Sequence, residues 1–287
     1  MITRLTYTTD LSDTEWQLIE PLIPGQKDRG RKIEYDRREV LNGIFYLVRN
    51  GCHWRDLPHD FPPYRTVSHY YHAWRRTGLW QALNDTLRTE LRLAEGPDPQ
   101  PSAACLDSQS VKTTEIASQR GYDAGKKIKG IKRHILVDTL GLLLIVVVHA
   151  ASIQDREGAK LVLEKVPSRF SRLQRIWADG GYRGKLVKWV KTTCRCVLEI
   201  VKRNDDLKGF KVLPQRWLVE RTFGWLNRYR RLSKDYERST ESSEAMVQIA
   251  MIRLMLRRLE QKSQAQKRKV RRQQERAASQ KGYALLA

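Results

Sequence analysis

The chain has 287 residues with 54 Lys and Arg against 32 Asp and Glu, a net charge of +22, which points to a polyanionic partner with nucleic acid first. The charge is uneven: residues 1–100 hold 14 basic and 14 acidic side chains, so residues 101–287 hold 40 and 18, and the acidic partner is expected there. Four cysteines at 52, 105, 194 and 196 form neither a disulfide framework nor paired CxxC motifs, the run 140–151 is too short to span a bilayer, and MITRLTYTTDLSD is no signal peptide, so a reducing cytoplasmic setting is expected.

The first hundred residues read as helices. Ser12 with Glu15 three positions on forms a capping box for a helix that runs to Pro21. Asp36 caps REVLNGIFYLVRN, whose Val40, Ile44, Leu47 and Val48 recur at helical spacing before Gly51. After Pro62-Pro63, one helix spans about 66–77 and another about 80–94, making a small helical domain over 1–95. Arg75 and Arg76 end the third helix and suit a DNA groove; Tyr70, Tyr71 and Trp74 beside them suit partner packing equally. GPDPQP is an extended linker by composition and sets a boundary at 96–102.

From residue 103 the pattern changes to α/β. AACLDSQSV is a strand carrying Asp107, followed by a basic loop, GYDAGKKIKGIKRH, with Lys126, Lys127, Lys129, Lys132 and Arg133. HILVDT and LLLIVVVHA form a hairpin; Asp155 opens a helix; RIWA is a strand ending on Asp179. A Gly-rich turn bearing Tyr182 and Arg183, a helix and another strand follow. Gln215 to Glu237 reads as one amphipathic helix, with Leu218, Thr222, Trp225, Tyr229 and Leu232 on one stripe and Arg216, Glu220, Asn227 and Arg231 opposite. Asp138, Asp155 and the pair at 205–206 are accounted for by turn and cap duties. Residues 261–287 form a basic tail, helical on DNA or disordered without it.

This order of strands and helices is that of a ribonuclease H-like mixed sheet with flanking helices, preceded by an all-helical region. Three acids on three elements, Asp107, Asp179 and Glu220, suit hard oxygen ligation of magnesium, whereas the ordinary reading of Glu220 is a solvent-facing Glu–Arg ladder.

The stretches LDSQSVKT, KRHILVDTLGLLL, WADGGYRG and WLVERTFGWLNRYRRLSKDYE together resemble the DDE transposases of bacterial insertion sequences, in the insertion-sequence-five-like group, over most of residues 103–260. The amino-terminal helices with their WRDLP turn are similar to the region ahead of the catalytic core in that group. The resemblance implies catalytic and metal-binding roles for Asp107, Asp179 and Glu220, with two Mg²⁺ ions or Mn²⁺ in their place. It also implies cleavage at the element's terminal inverted repeats, joining of the 3′-hydroxyl to target DNA, and a homodimer holding two double-stranded ends in a bacterial, nucleoid-associated setting.

The family's last motif sets a Tyr, an Arg, the Glu and a Lys at fixed spacing; here Arg216 and Glu220 match, while Leu213 and Asn227 depart. Phosphate contacts then fall to Arg228 or Arg231, alongside Lys126, Lys127, Lys129, Lys132, Arg133, Arg183 and the Arg75-Arg76 pair, while Tyr182 suits stacking on a base, its ordinary reading being an exposed aromatic in a Gly-rich turn. Ile131 is a second departure, standing where relatives usually carry Arg. The alternative is a sequence-specific DNA-binding regulator, or a domesticated remnant, on the same fold without chemistry.

Overall fold

The computed structural model describes residues 4–25, 34–96, 98–201 and 217–284. Helix α1 (Asp13–Ile19) opens on the Ser12–Glu15 capping box, with both reciprocal bonds made. The Asp36 side chain accepts from the Arg38 amide at the start of α2 (Arg37–Asn50), which ends on left-handed Gly51. Helix α3 (Tyr64–Arg76) begins two residues before the expected Thr66 because Pro63 takes the capping position, and α4 (Leu79–Glu95) follows.

The sheet comprises β1 (Ala103–Lys112), β2 (Gly121–Asp123), β3 (Ile128–Asp138), β4 (Leu143–Ala150), β5 (Arg175–Ala178) and β6 (Val197–Ile200). Strand β1 runs antiparallel to β3 and parallel to β5, β5 runs parallel to β6, and β4 pairs with the far edge of β3. This is the mixed sheet of a ribonuclease H-like fold. The segment 121–134, expected as a loop, instead supplies β2 and the start of β3, paired Gly121 to Gly130 around a left-handed Lys127.

Hydrophobic layers cover both faces, so β3 and β4 are buried almost throughout rather than alternately. Helices α5 (Asp155–Leu163), α6 (Val166–Arg169) and α7 (Lys185–Thr193) cover one face over Leu106, Ile145 and Ile176. The other face, with Cys105, Ile135 and Val146, shares a continuous core with α1–α4, α8 (Trp217–Leu226), α9 (Arg230–Ser233) and α10 (Thr240–Ala284). Helix α10 is its hub: Met246, Val247, Ile249, Ala250, Met251, Ile252 and Met255 are all buried, and the helix then continues into the basic tail, exposed over residues 264–275.

The expected single helix over 215–237 is broken. Helix α8 stops at Leu226, α9 is one turn, and Asp235 then bonds to the end of β1, its amide to the Lys112 carbonyl at 2.8 Å. Arg133 reaches this segment through the Leu232 carbonyl at 2.7 Å and the Asp235 carboxylate at 3.3 Å, while Arg231 pairs with Glu237 at 2.8 Å. All four charged groups are buried, and these tertiary bonds outweigh local helix propensity.

Candidate active site

The β1–β5 register pairs Ala103 with Arg175, Ala104 with Ile176 and Cys105 with Trp177. Asp107 lies two residues beyond the last of these pairs on β1, and Asp179 two residues beyond it, just past the end of β5. Strand alternation gives Asp107 the same face as Cys105 and Gln109, the face that α8 covers. Each carboxylate is braced by backbone: Asp107 accepts from the Ser108 amide at 2.7 Å, and Asp179 from the Gly181 amide at 2.8 Å.

Helix α8 is fixed by the β3–β4 turn. The Thr222 hydroxyl donates to the Gly141 carbonyl at 2.8 Å and Arg221 to the Leu140 carbonyl at 2.9 Å. Gly141 has φ +77°, and a Cβ there would lie 3.0 Å from both Thr222 and Trp225, so glycine serves the turn and the close approach together. At its other end Asn227 meets Gln109 of β1 at 3.4 Å. Glu220 is two helical turns before Asn227 on the same stripe of α8. Glu220 is exposed, and the neighbouring Arg221 and Thr222 tie its turn of the helix to the β3–β4 turn. The carboxylates suit a hard divalent cation in kind, but among the described residues no three His, Cys, Asp or Glu side chains are gathered closely enough to hold one.

Under the acidic pair lies a buried chain that sequence reasoning missed. His149 Nδ1 meets the Ala150 carbonyl at 2.9 Å, His149 Nε2 meets His134 Nδ1 at 2.8 Å, and His134 Nε2 meets the Tyr182 hydroxyl at 2.9 Å. The carbonyl can only accept, so each neutral imidazole donates from Nδ1 and accepts at Nε2, and Tyr182 must donate to His134. Burial, then His149, drives His134 down to about 3. Burial first, then the carboxylates of Asp107, Asp155 and Asp179, pushes the Tyr182 phenol well above its ordinary range. Asp155, expected only to open a helix, also accepts from Ser108 Oγ at 3.0 Å and pairs with Lys132 at 2.9 Å.

The expected DNA contacts divide by exposure. Lys126, Lys127, Lys129, Arg76, Arg183 and Arg228 are exposed, and half-buried Arg75 donates to Ser239 Oγ at 3.2 Å. Four expectations are corrected: Tyr182 is buried beneath the acids rather than offering its ring to a base; Lys132 is buried between Asp123 and Asp155; and Arg133 and Arg231 are consumed by the ion pairs that break the last helix. Arg216, with Leu213 and the acids at 205–206, lies outside the described residues. Asp138 keeps its expected turn role, accepting from the Leu140 and Leu142 amides.

Residues 98–255 match the "Transposase DDE domain" family, and residues 11–84 match the family described as "Putative transposase of IS4/5 family". Among curated proteins the chain is similar to "Insertion element IS402 uncharacterized 16.2 kDa protein" of Burkholderia cepacia, 32% identical over 39% of this chain and 78% of that protein. It is also similar to "Uncharacterized protein y4sN" of Sinorhizobium fredii, 30% identical over 29% of this chain and 66% of that one. A third similarity is to "Putative transposase for insertion sequence element IS402" of Burkholderia cepacia, 28% identical over 42% of this chain and 60% of that one. The family match covers more than half of the chain and spans both β1 and α8; the chain belongs to the DDE transposases of insertion sequences.

Proposed function

We propose that the chain cuts DNA at the inverted repeats of its element and joins the freed 3′-hydroxyl to target DNA, with Asp107, Asp179 and Glu220 as the catalytic acids. The observation that supports this reading is the β1–β5 register: Asp107 and Asp179 each lie two residues beyond its last pair, and α8, which bears Glu220, covers the Cys105 face of β1. These three would hold divalent cations, Mg²⁺ or Mn²⁺, which when bound supply an activated water and neutralise charge on the attacking and leaving oxygens. The chain's own part is to hold the carboxylates oriented: the Ser108 and Gly181 amides do so directly, and Tyr182 braces the turn beyond Asp179. Exposed cations at Lys126, Lys127, Lys129, Arg183 and Arg228 would take the phosphates, and the amino-terminal helices with Arg75 and Arg76 would read or pair the ends of two elements in a dimer.

Alanine at Asp107, Asp179 or Glu220 tests the assignment on duplex DNA bearing the element's own end. Cleavage is expected to vanish from each variant while gel-shift affinity stays within a few-fold of the parent. Unchanged cleavage by Asp179→Ala removes the assignment, and a parent chain that binds its ends but never cuts them favours a DNA-binding regulator.

A further inference from the structure

Beyond the acidic pair, the sheet carries a basic cleft of about 610 Å³ between the β1–β2 loop, the β2–β3 hairpin and the segment after α9. Lys112, Arg120, Lys127, Lys129 and Lys234 line it, with Glu115 as the only acid among its described lining residues. Among the described residues none of the five cations is in an ion pair, unlike the buried Lys132 and Arg133 nearby. Unpaired cations around a concavity repel one another, and an anion relieves that repulsion. The Tyr122 ring stands on the cleft wall and is 55% exposed.

A second cleft of about 530 Å³ shares Lys112 and Lys234 with the first and reaches Gln109 and Asn227. Gln109 is two residues along β1 from Asp107, and Asn227 is two turns along α8 from Glu220. The two clefts thus form one path from Gln109 and Asn227 to the cations. Gln109 Oε1 and Thr114 Oγ1, one from each cleft, are without hydrogen-bond partners.

We infer that this path holds an unpaired stretch of DNA strand next to the bond being processed, with its phosphates on the five cations and a base stacked on Tyr122. The ring decides for a single strand. A duplex keeps its bases stacked inward and offers this cleft phosphates only, whereas a splayed strand has a free base face for an exposed aromatic. The inference rests on the DNA-processing reading above but makes a separate claim about where an unpaired strand lies.

The test is equilibrium binding of a fluorescein-labelled thymidine hexanucleotide and of a blunt duplex, in chelator so that no chemistry occurs. It uses the full chain, Tyr122→Ala, Tyr122→Phe and the double variant Lys112→Ala/Lys234→Ala. Tyr122→Ala is expected to weaken the single strand by about tenfold, within the range for one base–aromatic stack, and Tyr122→Phe by less than threefold. Duplex affinity should change by less than threefold in both. The double variant should reduce the slope of log K against log salt for the single strand by about 1.4, at about 0.7 per contact. Tyr122 is exposed, so a thermal melt matching the parent excludes unfolding. Single-strand binding within twofold of the parent for Tyr122→Ala, or equal losses for strand and duplex, overturns the inference. Because cutting is silenced, loss of cleavage by the acid variants is read separately and neither supports nor removes this claim.

Discussion

Tyr182 shows how much one hydroxyl settles. Its donation to His134 ends a proton order that begins at the Ala150 carbonyl, and its ring packs with Ala178 and Leu186 beneath the turn that follows Asp179. Tyr182→Phe keeps the ring and leaves His134 Nε2 buried without a donor, so a loss of about 1–3 kcal/mol is expected in urea unfolding. The histidines also set a pH dependence. His134 is held at about 3 in the fold against about 6.5 when unfolded. Between those values the unfolded chain binds a proton that the folded chain refuses, so stability falls as pH drops through that window, by up to about 1.4 kcal/mol per pH unit. His149 is lowered by burial and acts with the same sign, whereas Glu237 and Glu244 are raised by burial and act oppositely. The difference between parent and His134→Asn isolates the first contribution, and from pH 6.5 to 5 the variant should show the shallower slope. Neither histidine announced itself in the sequence. Each stands in an apolar strand, and their contact depends on a β3–β4 register that pairs Lys132 with His149 and His134 with Val147.

Elements were legible where one local cause decides them. The Ser12 capping box, the Asp36 cap and the apolar runs ending at Asp107 and Asp179 stand in the structure as read, because each depends on residues within a few positions. The break after α8 was illegible for the converse reason: Arg133 and Asp235, which help to hold the broken segment, are 102 residues apart. Helix α5 gives an element-scale prediction. Gly158 is a poor helix former, yet a Cβ there would overlap His149 and stand 2.7 Å from His134. Alanine would gain about 0.5–1 kcal/mol in helix propensity and lose about 1–3 kcal/mol to overpacking. Gly158→Ala is therefore expected to melt below the parent, and a higher melting temperature would show that α5 can shift off the histidines.

At the scale of the whole molecule, the proline-rich stretch at 96–102 reads as a border, but hydrophobic packing runs past it. Tyr71, Trp74, Trp80, Leu83 and Leu87 lie in one core with α10 and the β4 face, and Tyr71 donates to the Ser242 carbonyl at 3.0 Å. Arg253 of α10 pairs with Glu15 of α1, with both side chains buried. Burial of five such side chains at about 1.5–3 kcal/mol each is comparable with the whole stability of a typical fold. A chain shortened to residues 96–287 is thus expected to lose cooperative thermal unfolding, and a sharp melt from that fragment would show that the sheet stands without its helices. Among the described residues, the shared core ties the amino-terminal helices to the strand that carries Asp107. Under the proposed function the molecule then acts as a caliper, with the span between the bases it grips and the bond it cuts fixed by packing. One extra base pair inside the element's end should displace the cut by one nucleotide or abolish it, because a rigid gauge cannot stretch to follow its mark.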